Sequence, residues 1–471
     1  MRRYEQLAHD LKLQIKNRVW HSGDKLPSIR ASCATSGFSL ATVLQGYQLL
    51  ESQGLIVSKP QSGYYVAPQL NIVQEPSAPS QQLMKSDAVD INNVLFDLLQ
   101  KTKNPNIVPF SSAFPDPKLF PQQALARSLA SSMRRMPASG AVSNLPPGSE
   151  ALRRCIAQRY ALDGMNVSPD DIVITSGALE SLNLCLQAVT QPGDLVAIES
   201  PTFYGALQAI ERLKLKAIEI PTHPKDGVDL EVLKAACEHQ PIKACWFMTN
   251  FQNPLGFVMS DERKRALAEL LEDHHIPLIE DDVYAELYFT KNKPLPAKYH
   301  DKSGNILHCS SFSKCLSPGY RVGWVVAGPY AEKIQRLQLM STLSASVPTQ
   351  LGLTNYLQQG GFDTHLRKLR RILEQRKNQM LQAIIRYFPN DTRITQPDGG
   401  YFLWLELPKK INSEQLYKQA LQKSIGIAPG MLFTTQECFN QHIRLNFSFP
   451  WTNETEKAIK QLALLIKSTS K

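Results

Sequence analysis

Apolar positions recur at helical spacing from the amino terminus, at Tyr4, Leu7, Leu11 and Ile15, while the opposite face carries Lys12, Lys16 and Arg18. This predicts an amphipathic first helix. Leu26-Pro27-Ser28 opens a second, short helix with Ser28 as its cap and Gly37 at its end. Ser39 caps a third, in which Val43, Tyr47 and Leu50 form the inward stripe and Gly54 stops the run. Leu55 to Lys59 and Tyr64 to Val66, around Gln61-Ser62-Gly63, read as a hairpin. Three helices and a hairpin predict a winged helix-turn-helix over residues 1–67. From Pro68 to about Lys85 the chain is rich in Gln, Pro and Ser, with little to bury, and reads as a linker. Val89 to Gln100 regains an apolar pattern and predicts a short helix within a connection spanning 68–106.

From Ala113 onward short apolar runs alternate with amphipathic stretches, the pattern of an α/β domain around a mostly parallel sheet, here placed at 107–471. Candidate strands are Asp171 to Thr175, Leu195 to Glu199, Ala244 to Thr249, Pro277 to Glu280, Ile306 to Ser310 and Val322 to Ala327. Ligands in such sheets bind beyond the carboxyl ends of the strands. At those ends stand Thr175-Ser176-Gly177-Ala178 opening a helix, Pro201-Thr202-Phe203-Tyr204-Gly205, Asn253-Pro254-Leu255-Gly256, Asp281-Asp282-Val283-Tyr284, and Ser310-Ser311-Phe312-Ser313-Lys314. Each alone is a weak signal; five in this order, each after an apolar run, is a strong one.

Together these residue types fit pyridoxal 5'-phosphate. Lys314, on a loop where a buried strand ends, supplies an amine that can form a Schiff base, and Asp281 a carboxylate for a protonated pyridine nitrogen. Tyr284 and Asn253 can hydrogen-bond the ring oxygen, and Phe203 can stack on the ring. The Gly177 and Ala178 N–H groups, the Ser311 hydroxyl and Arg321 suit the phosphate.

Composition excludes some classes. The 471 residues carry a net charge of +10 and an ordinary share of apolar residues, which rules out general disorder and permits an acidic partner. No apolar run approaches the roughly 18 residues needed to cross a bilayer, and Tyr4 to Arg18 lacks the features of a signal peptide, so a cytoplasmic protein is expected. Eight cysteines without ligand-like spacing read as reduced thiols and give no support for a metal site. Between Met1 and Pro68 eight Lys/Arg face four Asp/Glu, which favours double-stranded DNA as partner of the helix-turn-helix.

The first domain resembles the GntR family of bacterial regulators, in which LPSxR leads through a serine-led recognition helix to a glycine-tipped wing. The resemblance implies that Ser39, Leu40 and Thr42 reach phosphates or base edges in the major groove, while Arg30, Lys59 and Gly63 grip the backbone. Leu40 departs from the arginine frequent there; an aliphatic group touches a thymine methyl and cannot bind guanine, so a different operator preference is expected. From about Phe110 to Trp451 the chain resembles fold-type I aminotransferases of class I/II. This implies a large subdomain of about 150–340, a small one mainly at 341–471, a homodimer, and Arg444, within Ile443-Arg444-Leu445-Asn446-Phe447-Ser448, as the fork for a substrate or effector α-carboxylate. Between Ser143 and Gly148 the tyrosine usual in that family is absent. The two domains joined resemble the MocR subfamily, which implies a transcriptional regulator sensing the cofactor or an amino-acid effector through a Schiff base of Lys314. The alternative is a working amino-acid:2-oxo-acid aminotransferase with an accessory DNA reader.

Overall fold

The computed structural model describes residues 2–17, 19–20, 23–59, 62–67, 75–77, 95–96, 100, 104–136 and 145–470. Most of the expected linker, most of the expected helix at Val89 to Gln100, and Ser143 and Asn144 lie outside these.

The amino-terminal unit contains α1 (Arg3–Lys16), α2 (Ile29–Ser36), α3 (Leu40–Ser52) and the antiparallel pair β1 (Ile56–Lys59) and β2 (Gly63–Val66). Ser28 caps α2 by accepting from Ala31 N, and Ser39 caps α3 by accepting from Thr42 N. Gly37 ends α2 at φ 69°, a left-handed conformation that glycine adopts without steric cost. The inward stripe of α3, Val43, Tyr47 and Leu50, packs on Leu11, Ile15 and Ile56 in a core of its own. The Tyr47 hydroxyl bonds Ser32 Oγ (2.8 Å) and donates to Pro27 O (2.9 Å), which fixes α3 against α2.

The remainder is organised on an eight-stranded sheet, ordered β3-β10-β9-β8-β7-β4-β5-β6. Before it come α4 (Gln122–Arg135) and α5 (Glu150–Leu162). The sheet and its crossovers then run β3 (Ile172–Thr175), α6 (Ala178–Val189), β4 (Leu195–Ser200), α7 (Tyr204–Arg212), β5 (Lys216–His223), β6 (Gly227–Val228), α8 (Leu230–His239), β7 (Ile242–Phe247), α9 (Asp261–Asp273), β8 (Leu278–Asp281), β9 (Ile306–Ser311) and β10 (Gly323–Val326). β3, β4 and β8 are buried at every position, the reason they read as unbroken apolar runs.

Each expected strand is present with its ends displaced by one or two residues. β5 had no counterpart in the sequence reading. The direction of β10 was also not legible: it runs antiparallel to both neighbours, because the loop carrying Lys314 returns the chain beside β9. That reversal has a consequence. Gly323, the first residue of β10, pairs with Thr175 on one side and Ser311 on the other, which brings the ends of β3 and β9 together.

The carboxy-terminal part holds α10 (Ala331–Ser341), α11 (Val347–Gln358), the long α12 (Gly361–Tyr387), β11 (Arg393–Ile394), β12 (Phe402–Glu406), α13 (Ser413–Gln422), β13 (Ala428–Pro429), β14 (His442–Asn446) and α14 (Asn453–Ser470). Its strands form a second, antiparallel sheet, β11-β12-β14-β13. The amino-terminal unit touches this part through α12: Gln382 Nε2 donates to Gly54 O at 3.2 Å. No helix among the described residues is long and apolar enough to cross a membrane.

Candidate functional site

The site lies where β3, β8 and β9 end and β10 begins. Lys314 follows β9 on the turn to β10; its Nζ donates to Ala113 O (2.9 Å) and lies 4.4 Å from the Phe114 ring centroid and 5.8 Å from that of Tyr284. Burial lowers its amine to about 7, with Asp281 pulling the other way and Arg444 and Arg321 lowering it further. Asp281, the last residue of β8, is buried, and burial raises its carboxyl to about 7. Its Oδ1 has no hydrogen-bond partner among the described residues. A buried carboxylate oxygen left unpaired is costly, and it is the feature a protonated ring nitrogen satisfies.

The phosphate-type residues are gathered by the β10 reversal. Gly177 caps α6 at φ 101°, and the Ala178 N–H opens that helix with no helical acceptor. Arg321, itself left-handed at φ 50°, donates from Nη2 to Ser176 O (2.9 Å); a Cβ on Gly177 would lie 2.5 Å from that Nη2. Glycine is therefore what lets the guanidinium close on the helix start. Ser311 ends β9 beside them, its Oγ accepting from Ser313 N at 3.4 Å. The Ser313 hydroxyl is buried and unpartnered, a further donor that the sequence reading did not single out. The Glu180 carboxylate takes the Ser176 N–H, leaving the glycine and alanine amides as the free end of the helix.

Arg444 lies on β14, buried. Nη1 donates to Asn253 Oδ1 (2.8 Å) and Nη2 to Ser111 O (2.9 Å), while Nε has no partner. No carboxylate pairs with it among the described residues, so a surface ion pair is excluded as its role. Its guanidinium lies 4.1 Å from the Phe402 ring centroid. Asn253 thus spends its carbonyl on Arg444 and keeps its amide donor. Tyr284 is buried, which raises its phenol above the ordinary range and keeps it a donor. Phe203 joins the cluster through Tyr204, their ring centroids 4.8 Å apart.

Besides Ser313, two contributors leave little or no signal in the sequence. Tyr401, fully buried, meets Tyr284 edge-on at 5.3 Å and donates to Ala113 O at 3.1 Å. The backbone of residues 110–114 supplies carbonyls to Lys314 and Arg444 alike. Only the glycine pair Gly399-Gly400 ahead of an apolar run hinted at Tyr401, and carbonyls leave no side-chain signal.

In the amino-terminal unit, Leu40 is 58 % exposed on the first turn of α3, and the Ser39 and Thr42 hydroxyls meet at 2.9 Å. Arg30 is exposed on α2 and Gly63 opens β2 at φ 103°. Lys59 ends β1; its side chain lies outside the described residues.

Fold and site define a two-part chain, a winged helix-turn-helix joined to an α/β domain of aminotransferase type. Residues 116–462 match aminotransferase class I and II, and residues 3–66 match the gntR family of bacterial regulatory proteins. The chain belongs to the aminotransferase class I and II family and carries a GntR-type reader at its amino end, an arrangement consistent with the MocR type. It is 54% identical over 467 residues, 99% of each chain, to the uncharacterized HTH-type transcriptional regulator YdcR of Escherichia coli. Among solved structures it resembles kynurenine aminotransferase of Pyrococcus horikoshii in complex with PMP, at 29% identity and TM-score 0.75, covering 80% of this chain and 95% of that one. LysN, the α-aminoadipate aminotransferase of Thermus thermophilus complexed with N-(5'-phosphopyridoxyl)-L-leucine, is 26% identical at TM-score 0.73, over 81% and 96% of the two chains. The chain is a transcriptional regulator with an aminotransferase-like domain; that domain's family implies pyridoxal phosphate as cofactor, and the reader implies DNA as partner.

Proposed function

We propose that the aminotransferase-like domain holds pyridoxal phosphate on Lys314, that an amino-acid effector bearing an α-carboxylate docks on Arg444, and that occupancy of this site sets how a homodimer's readers engage DNA. The observation that carries the reading is the pairing of an unsatisfied buried Asp281 oxygen with a buried amine at about 7 in the same cluster. When bound, the cofactor supplies an aldehyde for the amine and an electron-withdrawing ring. The residues do the rest. At neutral pH a large share of Lys314 is uncharged and nucleophilic, so its Nζ would hold the cofactor through the aldehyde. Asp281 holds the ring proton, Tyr284 and Asn253 donate to the ring oxygen, and Phe203 covers a ring face. Gly177, Ala178, Ser311 and Arg321 take the phosphate. Arg444, paired with no carboxylate among the described residues, would offer its fork to the effector in exchange for Asn253 Oδ1 and Ser111 O.

The test is cofactor uptake by the purified chain, followed by absorbance. Wild type takes up pyridoxal phosphate and, after borohydride reduction, retains it covalently through denaturation and dialysis; Lys314→Ala retains none. Equal covalent retention in Lys314→Ala would contradict the assignment.

A second reading has its own support: with the cofactor bound, Lys314 could move the α-proton of an amino acid docked on Arg444. Incubation with amino acids and a keto acid separates the two. Multiple turnovers of keto product make the chain an aminotransferase, and a single stoichiometric change leaves it a sensor.

A further inference from the structure

The segment from Phe110 to Asp116 holds both ligand-gripping side chains of the site. Ala113 O accepts from Lys314 Nζ (2.9 Å) and from Tyr401 (3.1 Å), which fills both lone pairs, and Ser111 O accepts from Arg444 Nη2 (2.9 Å). Asn446 fixes the same segment from β14, its Nδ2 donating to Ser112 O and Phe114 O, both at 2.9 Å. Phe114 lies over the Lys314 amine and is nonetheless 46 % exposed. At its far end the segment is anchored by Asp116, which is buried and pairs with Arg376 Nη1 at 3.2 Å; Arg376 also donates to Ser448 O.

Arg376 belongs to α12, and α12 touches the amino-terminal unit. Gln382, further along that helix, donates to Gly54 O, and a Cβ on Gly54 would lie 2.9 Å from Gln382 Nε2 and 3.2 Å from Asn378 Cβ. Gly54 follows α3, the helix whose first turn exposes Leu40. A path therefore runs from Lys314 to Ala113 by a hydrogen bond, along the segment to Asp116, across the ion pair to Arg376, along α12 to Gln382 and by a hydrogen bond to Gly54.

We propose that the Phe110–Asp116 segment is a strap that transmits occupancy of the cofactor site to the DNA reader through the Asp116–Arg376 pair and α12. This rests on the cofactor reading above. Condensation of the Lys314 amine with the cofactor aldehyde would release one water and remove two of the N–H hydrogens on Nζ, which would weaken its hold on Ala113 O. A carboxylate arriving at Arg444 competes with Ser111 O for the same fork. Either event loosens the strap. Because Asp116 is tied to α12, the released strap changes the support of a helix that the reader touches. Arg376, Asp116 and Gln382 are positioning residues that touch neither ligand nor DNA in this scheme. The two-state element the coupling requires is the strap, docked on or released from Lys314 and Arg444.

Hydrogen exchange on the full chain tests this, with and without pyridoxal phosphate and with uptake verified by absorbance. In wild type the cofactor should speed exchange at residues 110–116 and at residues 50–56, the latter by about tenfold. In Arg376→Gln and in Gln382→Ala the response of 110–116 should persist while that of 50–56 disappears, with cofactor affinity unchanged. Gln382→Ala removes one hydrogen bond at a half-buried position and keeps the test valid if Arg376→Gln disturbs folding. A wild-type response at 50–56 in both variants would overturn the relay and leave the cofactor reading intact. So would unchanged exchange at 110–116 with cofactor demonstrably bound. Failure of the wild type to take up cofactor would overturn both.

Discussion

Burial acts on Lys314 and Asp281 in opposite senses, and the pair makes the site pH-sensitive around neutrality. Lys314 is lowered from the ordinary lysine range to about 7, so its reactive fraction grows as pH rises through 7 and saturates above. The rate of cofactor uptake, followed by stopped-flow absorbance, should level off between about pH 7 and 8. A rate still climbing at pH 10 would show an ordinary lysine. Asp281, raised to about 7, binds its proton more tightly folded than unfolded, so its favourable contribution is full below about pH 4 and lost as pH rises through 7. For Lys314 the unfolded chain is the tighter proton binder between about 7 and 10.5, and stability from this group rises across that window. Cofactor-free protein should accordingly be least stable near neutrality as far as this pair is concerned, and a thermal-denaturation series against pH reads it directly. Asp281→Asn removes the buried charge and the partner of the ring nitrogen. It should weaken cofactor affinity by about 1.5–3 kcal/mol, the range for a hydrogen bond to a charged group. Lys314 and Asp281 were legible in the sequence because each is a reactive side chain at the end of an apolar run. Tyr401 was not, because a tyrosine in an apolar run reads as core.

At the scale of elements, helix starts and strand ends do the positioning. Gly177→Ala would place a methyl 2.5 Å from Arg321 Nη2 at a positive φ. The guanidinium must withdraw, and cofactor affinity should fall by roughly tenfold or more with the fold retained, since one charge-assisted contact to the phosphate is lost. Equilibrium titration with pyridoxal phosphate measures it. Ser28→Ala removes the cap of α2 and should destabilise the reader by about 1 kcal/mol, seen as faster hydrogen exchange over residues 29–36 in the full chain. Caps, helix stripes and buried strands were readable because they obey local rules. What was not readable depends on pairing: β10 has the same apolar composition whether parallel or antiparallel, and only the short return past Lys314 decides. β5, with Pro221 and His223 near its end, lacks the plain apolar run that marked the others. The strap is invisible for a different reason, since its function lies in carbonyls that every residue possesses.

Across the whole molecule the two cores are separate, and the described contact between reader and large domain passes through α12. That helix is also tied to the large subdomain by charge. Glu286 accepts from Arg370 on α12 (3.0 Å), from Arg159 (3.2 Å) and from Lys293 (3.1 Å). Burial pushes its carboxyl up, but Lys293, Arg159 and Arg370 together outweigh that and hold it at about 2. Its stabilisation is therefore present above about pH 4.5 and lost as pH falls towards 2. Glu286→Gln would leave Arg370 without a carboxylate, and Arg159 and Lys293 with only Asp363 and Asp163, and should cost about 1.5–3 kcal/mol in thermal or denaturant unfolding. In the proposed scheme the cofactor site governs the reader. The direct test is binding of the full chain to a labelled fragment of its own upstream DNA, at one stated salt concentration because phosphate contacts dominate affinity, with and without pyridoxal phosphate. Wild type should change affinity by about tenfold on cofactor addition, while Lys314→Ala binds DNA and does not respond. Equal DNA affinity of the wild type with and without bound cofactor, or an undiminished response in Lys314→Ala, would contradict the claim.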